Sequence, residues 1–286
     1  MNNIKYFIQF LIIIFLFFIF KILGLKISSY IGGKLFEIFG PLFRSQKVIH
    51  SNIQTAYPKI NKKEIKNITK QMWNNYGRVF AEYMFIKKYR NEFFDRGIKL
   101  QGKETLNKIK NENKPVIFIS GHFANFELMA MTIEKIGIKL SAIYRPLNNK
   151  FLNVIMEKIR KKHICKFQIK KGVSGLREII KLNQRGFSTA LMIDQRVSEG
   201  IRSNFFNKKA YTTTIPAQLI KKYGYHVVPL SIERFDNIKF KITVHEPLKY
   251  SKNTSTEEIT QNLNFYLEQM IINNPNQWIW SHNRWK

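Results

Sequence analysis

The residues best suited to chemistry in this chain are His122 and Glu127, five positions apart. They follow a short apolar run, residues 116–119, that is typical of a buried strand in a parallel sheet, and helical spacing of apolar residues begins directly after Glu127. In open α/β sheets, ligands bind beyond the carboxyl ends of the strands. A carboxylate in the first turn of the helix can hold one imidazole nitrogen while the other takes a proton from a hydroxyl. The sequence therefore predicts a His122–Glu127 general-base pair, with Asn125 as the helix N-cap.

Polar side chains also follow two other predicted strands. Tyr144 and Arg145 come at the end of the next strand along the chain, and Asp194 and Gln195 come at the end of a later one. The carboxyl ends of parallel strands share one sheet edge, so these residues are expected near His122, where they and Asn125 are predicted to bind the substrate. An arginine at such an edge can bind a phosphate group or a developing oxyanion with two hydrogen bonds.

The charge of the chain is strongly positive. Its 286 residues include 48 Lys and Arg against 19 Asp and Glu, which gives a net charge of +29, while 44% of the residues are hydrophobic. This composition is typical of a folded protein with an acidic partner, such as an anionic membrane surface, an acidic protein or nucleic acid. The lone Cys165 excludes a disulfide within the chain and a cysteine metal cluster.

The N-terminal segment is apolar enough to enter a membrane. Residues 7–20 form a nearly unbroken apolar run and, together with residues 22–25, reach about the 20 residues of a membrane span. A cleaved signal peptide would need small residues where this chain has Lys21 and Lys26. The positive charge after the run places the main body in the cytoplasm. Residues 1–26 are predicted to be a membrane anchor that either crosses the membrane or lies in its interface.

The remaining chain predicts an α/β fold. A helical connector, partly facing the membrane, is expected over residues 27–96, with a long helix from Asn61 to about Arg90. Residues 97–286 then alternate between strands and helices, which predicts a single domain with a mostly parallel central sheet flanked by helices. The predicted strands cover residues 115–120, 140–144, 166–169, 188–193, 227–232 and 240–244. Helices are predicted over residues 126–136, 151–162, 174–183, 215–223 and 256–273, and residues 200–213 are predicted to be a loop over the site.

Six motifs, in this order along the chain, resemble those of the bacterial lipid A biosynthesis acyltransferases, the late lauroyl/myristoyl enzymes of the lysophospholipid acyltransferase superfamily. The motifs are G-H-F-A-N-F-E (residues 121–127), Y-R-P-L-N-N (144–149), I-D-Q-R-V-S-E-G (193–200), F-F-N-K-K-A-Y-T-T (205–213), V-V-P-L-S-I-E (227–233) and N-P-N-Q-W-I-W-S-H-N-R-W-K (274–286). The resemblance covers nearly the whole chain. Asn207 stands where that pattern has a glycine.

The resemblance implies a glycerol-phosphate-acyltransferase-like fold and transfer of a fatty acyl chain from acyl carrier protein to a hydroxyl of a phosphorylated glucosamine-based lipid, at the cytoplasmic face of the inner membrane. It implies His122 as the general base and Glu127 as its partner. Arg145 would bind phosphate or carbonyl groups, and Asp194 would support the site. Attack of an alcohol on a thioester requires a base and oxyanion stabilisation, so no metal or other cofactor is expected.

Three other functions stay open from the sequence. A related acyltransferase could use a lysophospholipid or another glycolipid as acceptor and acyl-CoA as donor. A thioester hydrolase could use the same pair with water. A membrane-tethered nucleic-acid-binding protein would account for the charge alone, but no recognition module is visible, so nucleic acid is not expected as a partner. Loss of acyl transfer in His122→Ala and Glu127→Ala variants that still fold is the result that the acyltransferase hypothesis predicts.

Overall fold

A computed structural model describes residues 2–286 of the chain. The described helices are α1 (Asn2–Phe43), α2 (Gln46–Ala56), α3 (Lys62–Glu82), α4 (Ile86–Asn91), α5 (Phe94–Gly97), α6 (Lys103–Glu112), α7 (Glu127–Lys135), α8 (Lys150–His163), α9 (Val173–Gln184), α10 (Ile215–Tyr223) and α11 (Thr256–Asn273). The strands are β1 (Ile98–Gln101), β2 (Ile117–Ser120), β3 (Leu140–Tyr144), β4 (Phe167–Lys170), β5 (Ser188–Met192), β6 (Ile201–Phe205), β7 (Lys208–Thr212), β8 (Val227–Asp236) and β9 (Lys239–Val244). Short 3-10 turns cover Tyr83–Phe85 and Pro275–Gln277.

Seven strands form the central sheet, in the order β1-β9-β8-β2-β5-β3-β4. All neighbouring pairs are parallel except β8 and β9, which form an antiparallel hairpin. The central strand β2 is buried along its whole length, which is why its residues are almost all apolar. The predicted α/β fold with a mostly parallel sheet and flanking helices is confirmed.

The element boundaries follow the sequence signals closely in most places. Asn61 caps α3 as predicted: its side chain accepts the Glu64 N–H at 2.9 Å, and the Glu64 carboxylate accepts the Asn61 N–H at 3.0 Å. The predicted helix from residue 61 to 90 is interrupted by the 3-10 turn between α3 and α4. Strand β1 and helix α6 were not predicted; the four residues of β1, I-K-L-Q, alternate apolar and polar side chains at a sheet edge.

The predicted loop over residues 200–213 is instead a two-stranded antiparallel hairpin of β6 and β7. Phe206 and Asn207 form its turn with φ angles of 51° and 58°. Asparagine tolerates this left-handed conformation, which accounts for Asn207 in place of a glycine. The Trp285 ring stacks on Phe205 of this hairpin at 5.4 Å between centroids, so the C-terminal segment is fastened to it.

The apolar N-terminal helix lies against the folded body along much of its length. It bends at Gly24, whose φ is 75°, and continues to Phe43, so the predicted anchor and the first part of the predicted connector form one kinked helix. Phe17 packs on Phe80 of α3 at 5.0 Å between ring centroids, and Phe7 packs on Phe151 of α8 at 5.4 Å. One face of α1 is therefore covered by protein, and the opposite face carries exposed apolar side chains.

Candidate active site

Two adjacent strands place His122 and Asp194 side by side. Strand β5 is the neighbour of β2 in the sheet, and Ser120 at the end of β2 pairs with Met192 at the end of β5. Each polar residue lies two positions beyond its own strand end, so the register brings them to the same point of the sheet edge. Their meeting is thus a consequence of strand order, since 72 residues separate them in the sequence.

Asp194 holds the imidazole of His122 by its Nδ1 atom. The Nδ1···Oδ1 distance is 2.8 Å, and the other carboxylate oxygen, Oδ2, accepts the His122 backbone N–H at 2.7 Å and the Trp278 indole N–H at 2.9 Å. Nε2 of His122 has no hydrogen-bond partner among residues 2–286, and the imidazole remains partly exposed. This arrangement fixes a proton on Nδ1 and leaves Nε2 as the basic nitrogen.

The environment adjusts both ionisable groups. Burial by itself disfavours the charged imidazole, but the charge of Asp194 and its hydrogen bond outweigh burial, so the pKa of His122 lies above its ordinary value. Burial likewise opposes ionisation of Asp194. The charge of His122 and the hydrogen bonds that Asp194 accepts from His122 and Trp278 nevertheless hold the pKa of Asp194 below its ordinary value. Asp194 is therefore ionised, and His122 gains basicity from it.

The close approach of His122 and Asp194 leaves space only for a glycine at position 121. A Cβ atom at this position would lie 2.8 Å from the Phe123 ring, 3.0 Å from Leu267 and 3.2 Å from the Asp194 carboxylate. Only a residue without a side chain lets the chain turn here while the His122 N–H reaches Asp194. The small-residue turn seen in the sequence thus has a specific structural cause.

Glu127 does not make the hydrogen bond that was predicted for it. It begins α7, and its Oε1 accepts hydrogen bonds from Arg160 of α8, at 2.9 Å from Nε and 2.5 Å from Nη2. The predicted contact with a His122 ring nitrogen is wrong, because Asp194 already occupies Nδ1 and the Glu127 carboxylate turns to the guanidinium. Glu127 still lies close enough for its charge to favour the protonated imidazole, and Arg160 opposes it.

The other predicted site residues differ in their surroundings. Tyr144 is buried at the end of β3, the Arg160 guanidinium lies 5.6 Å from its ring centre, and burial raises its pKa to about 12. Arg145 is exposed and forms no ion pair within residues 2–286. Gln195 is partly exposed beside Asp194. Arg145 is therefore open to solvent, whereas Tyr144 is enclosed beside Arg160.

Asn125 lies behind the site instead of on its surface. The N-cap residue of α7 is Phe126, so the predicted capping role of Asn125 is wrong. The Asn125 side chain is 1% exposed and donates to Glu82 Oε2 at 3.0 Å. Phe126 instead contacts the imidazole edge to face, with 4.7 Å between the centroids of its ring and that of His122. Asn125 thus supports the His122 loop from below and has no surface for substrate.

Glu82 is the centre of a buried polar network that joins this loop to the helices. Its carboxylate pairs with Arg234 of β8, accepts the Ser29 hydroxyl of α1 at 2.7 Å, and holds Asn125. Both members of the ion pair are almost completely buried. The network ties the N-terminal helix, α3, the sheet and the His122 loop to one another.

Breaking this network is expected to destabilise the protein strongly. Glu82→Gln leaves the Arg234 guanidinium buried without a counter-charge, which costs about 3 kcal/mol in the free energy of unfolding. The double variant Glu82→Gln/Arg234→Met should recover much of that loss, because no uncompensated charge remains. Urea unfolding of the detergent-solubilised protein measures both values. Equal stability of the wild type and the single variant would contradict the assignment.

The C-terminal segment closes one side of the site. Trp278 and Trp280 are buried edge to face, and the backbone oxygen of Gln277 accepts the Ala124 N–H at 3.0 Å. His282 Nε2 accepts the Arg196 backbone N–H at 3.0 Å, and burial lowers the pKa of His282 to about 4. His282 is therefore a neutral structural residue.

Two residues of the site escaped the sequence reasoning. Arg160 looked like one more charge on the basic end of a surface helix, and Trp278 was part of a C-terminal motif without an assigned role. The helical spacing of Arg160 with apolar residues of α8 is a weak signal that its side chain points inward. No signal in the sequence connects Trp278 with Asp194, because their contact depends on how the C-terminal segment folds back.

The chain gathers its polar side chains at the carboxyl edge of a mostly parallel sheet, as α/β enzymes do. The family model described as bacterial lipid A biosynthesis acyltransferase matches residues 1–286. The chain belongs to this family, and the family indicated by the motifs is thereby confirmed.

Known proteins that are similar to the chain include two acyltransferases. Lipid A biosynthesis acyltransferase 2 of Shigella flexneri is 23% identical over 196 residues, which are 66% of this chain and 61% of that relative. A crystal structure of the 1-acyl-sn-glycerophosphate acyltransferase of Thermotoga maritima superimposes with a TM-score of 0.44 and 15% identity, covering 89% of this chain and 96% of the other.

Proposed function

We propose that the protein transfers a fatty acyl chain from a thioester donor to a hydroxyl of a phosphorylated glucosamine-based lipid, and that His122 is the general base. The observation that carries the proposal is the His122–Asp194 pair, with Nδ1 held and Nε2 free at the sheet edge. Family membership over the whole chain supports the reaction class. The long apolar N-terminal helix supports a substrate that resides in the membrane.

The geometry suits a direct transfer without an enzyme-bound acyl group. Nε2 of His122 takes the proton of the acceptor hydroxyl as the hydroxyl oxygen attacks the thioester carbonyl. The tetrahedral intermediate collapses with cleavage of the carbon–sulfur bond, and the imidazolium returns its proton to the departing thiolate. Asp194 holds Nδ1–H throughout and stabilises the imidazolium that forms in between. Arg145, exposed at the neighbouring strand end, is positioned for phosphate or carbonyl oxygens.

In this scheme Glu127 acts on His122 through its charge and through Arg160, without a hydrogen bond to the imidazole. Its ion pair with Arg160 fixes both side chains next to the imidazole, and its negative charge favours protonated His122. Removing Glu127 would leave Arg160 buried without its partner, because the Arg160 side chain is only 14% exposed. Loss of activity in Glu127→Ala would then reflect both altered electrostatics and weakened folding.

The charge of the chain fits the proposed partners. A net charge of +29 favours an acidic carrier protein as donor and an anionic membrane surface as the place of reaction. We assign the donor to acyl carrier protein and the location to the cytoplasmic face of the inner membrane. Acyl-CoA is the alternative donor, and an assay that offers each thioester separately distinguishes it from acyl carrier protein.

Helix α1 is proposed to lie in the membrane interface, since its contacts with α3 and α8 tie one face to the body of the protein. The opposite face has exposed apolar side chains at helical spacing on both sides of the kink. They are Ile4, Ile8, Leu11, Ile12, Phe15, Phe18 and Ile22 before the kink and Ile27, Tyr30, Ile38, Phe39, Leu42 and Phe43 after it. A helix that is held in this way can immerse that face without leaving the protein.

Charged substitutions on this face are expected to release the protein from membranes. Ile38→Glu/Leu42→Glu places two carboxylates where apolar side chains would enter the bilayer, so the fraction that sediments with vesicles should fall severalfold while the fold is kept. Val173→Glu, at an apolar position 74% exposed on α9, is the matched control and should sediment like the wild type. Unchanged sedimentation of the α1 variant would exclude this face as the membrane contact.

The proposed function is tested by mass spectrometry of lipid A from cells with and without the protein. Loss of one acyl mass in the cells without it is the expected result. A purified assay then offers acyl carrier protein or CoA thioesters as donors, and a lipid A precursor or lysophosphatidic acid as acceptors. Preferred transfer to lysophosphatidic acid, or release of free fatty acid without transfer, would replace the proposed function with one of the two alternatives.

A further inference from the structure

A polar cleft of about 420 Å³ lies between α1, α3, the end of β8 and the segment after α11, separate from the edge where His122 lies. Seven amide side chains and four charged ones line it, with no aliphatic or aromatic residue among them. The amides are Asn67, Gln71, Asn74, Asn75, Asn274, Asn276 and Gln277, and the charged residues are Glu37, Lys70, Arg78 and Arg234. Such a lining suits a small ligand rich in hydroxyl and phosphate oxygens.

The positive charge in this cleft is not fully balanced. Arg234 is paired with Glu82 behind the cleft wall, and Glu37 is shared by Lys34 at 3.3 Å and Lys70 at 3.9 Å. Arg78 donates only to neutral oxygens, at 2.8 Å to Asn74 Oδ1 and 3.2 Å to Ser29 Oγ, and no carboxylate of residues 2–286 lies within ion-pair distance of it.

Arg78 is also the cation whose charge the surroundings oppose. Burial, and then the neighbouring charge of Arg234, lower the pKa of Arg78, while the charges of Glu82 and Glu37, both beyond ion-pair distance, offset only part of this effect. An anion placed in the cleft would supply the missing counter-charge. The half-buried Arg78 guanidinium, with no carboxylate of residues 2–286 within ion-pair distance, can therefore pair with a ligand that brings a negative charge into the cleft.

The position of the cleft indicates where that ligand comes from. Glu37, on its rim, is the neighbour of Ile38, which is 66% exposed on the apolar face of α1. A lipid with its chains against this face would carry its headgroup at the level of the cleft. On the inner side, Gln277 lines the cleft while its backbone oxygen accepts the N–H of Ala124, two residues after His122.

We propose that this cleft binds the phosphate and hydroxyl groups of a membrane lipid headgroup, with Arg78 and Lys70 on the phosphate and the amides on the hydroxyls. The site is distinct from the acceptor position at His122, and its occupation does not depend on the proposed acyl transfer. Binding can thus fail while transfer holds, or the reverse, so the two proposals are tested separately.

The test measures hydrogen exchange of the full-length protein in neutral detergent as phosphatidylglycerol, which has one phosphate and two free hydroxyls, is added to the micelles. Protection that saturates is expected over residues 67–78 and 274–277. Arg78→Gln should weaken apparent binding about tenfold or more, because a charge-assisted pair is lost. Lys70→Glu, at an exposed position that leaves the core intact, should weaken it similarly.

Two comparisons exclude general charge effects and soluble ligands. Arg177→Gln removes one exposed positive charge on α9 and should bind phosphatidylglycerol like the wild type, whereas phosphatidylcholine, which has no free headgroup hydroxyl, should protect the two segments more weakly. Equal weakening by Arg177→Gln and Arg78→Gln, or no saturable protection at the two segments, would overturn the proposal. Equally strong protection by inorganic phosphate alone would overturn the lipid assignment and identify a site for a soluble anion.

Discussion

Replacing His122 with alanine is expected to lower the rate of acyl transfer by about 10³-fold, the range lost with a general base. The imidazole is partly exposed, and its hydrogen bonds to the protein are confined to Asp194, so its removal leaves the core intact. The buried Asp194 carboxylate loses one hydrogen bond and keeps those from the His122 backbone N–H position and Trp278, so the thermal unfolding temperature should fall modestly. The assay follows transfer of a labelled acyl chain to the acceptor lipid, with initial rates at saturating donor.

The exposed His50 on α2 supplies a matched control. His50→Ala also removes an imidazole, but at a position on α2 that is distant in sequence from the sheet edge. The activity of this variant should equal that of the wild type. The comparison separates the loss of the base from any effect of one histidine fewer. A His122→Ala variant with more than a tenth of wild-type turnover would refute a general-base role for His122.

The sheet and most of its helices could be predicted because their signals are local. Buried parallel strands have continuous apolar runs, and the helices between them have caps and helical spacing that a reader can find without knowing the fold. The capping box at Asn61 and the strand that ends at Ser120 are examples. Where the signals were weak, as in the four residues of β1, the element was missed.

The partner of His122 could not be predicted in the same way. Sequence spacing favours Glu127 because it is near, whereas the structure supplies Asp194 from 72 residues away. The choice depends on β5 lying next to β2, and strand alternation does not determine strand order. The ion pair of Glu127 with Arg160 likewise depends on how α8 packs. In this chain, nearness in sequence thus favours a carboxylate other than the one that holds the His122 imidazole.

Asp194→Asn tests this choice of partner and has the second large expected effect. Oδ2 of Asp194 faces two donors, the His122 backbone N–H and the Trp278 indole N–H. The single oxygen of an asparagine will occupy that position, which turns its NH₂ group toward Nδ1 of His122. Nδ1 must then accept a hydrogen bond, so the proton moves to Nε2 and the base is lost. By analogy with the same change in other histidine–aspartate pairs, the rate should fall by about 10³- to 10⁴-fold.

The pH dependence of the residual activity distinguishes this mechanism from simple damage. The charge of Asp194 raises the pKa of His122, and the base is active only when neutral, so wild-type activity should fall as the pH drops through a value above about 6.5. Removing the charge lowers that pKa, and the acid limb of the pH profile in Asp194→Asn should move to lower pH. Trp278→Phe keeps the aromatic packing, deletes only one donor to Asp194, and should lose less than about tenfold. If Asp194→Asn keeps wild-type activity with an unmoved acid limb, Asp194 does not orient the base, and the carboxylate that does must be sought again, beginning with Glu127.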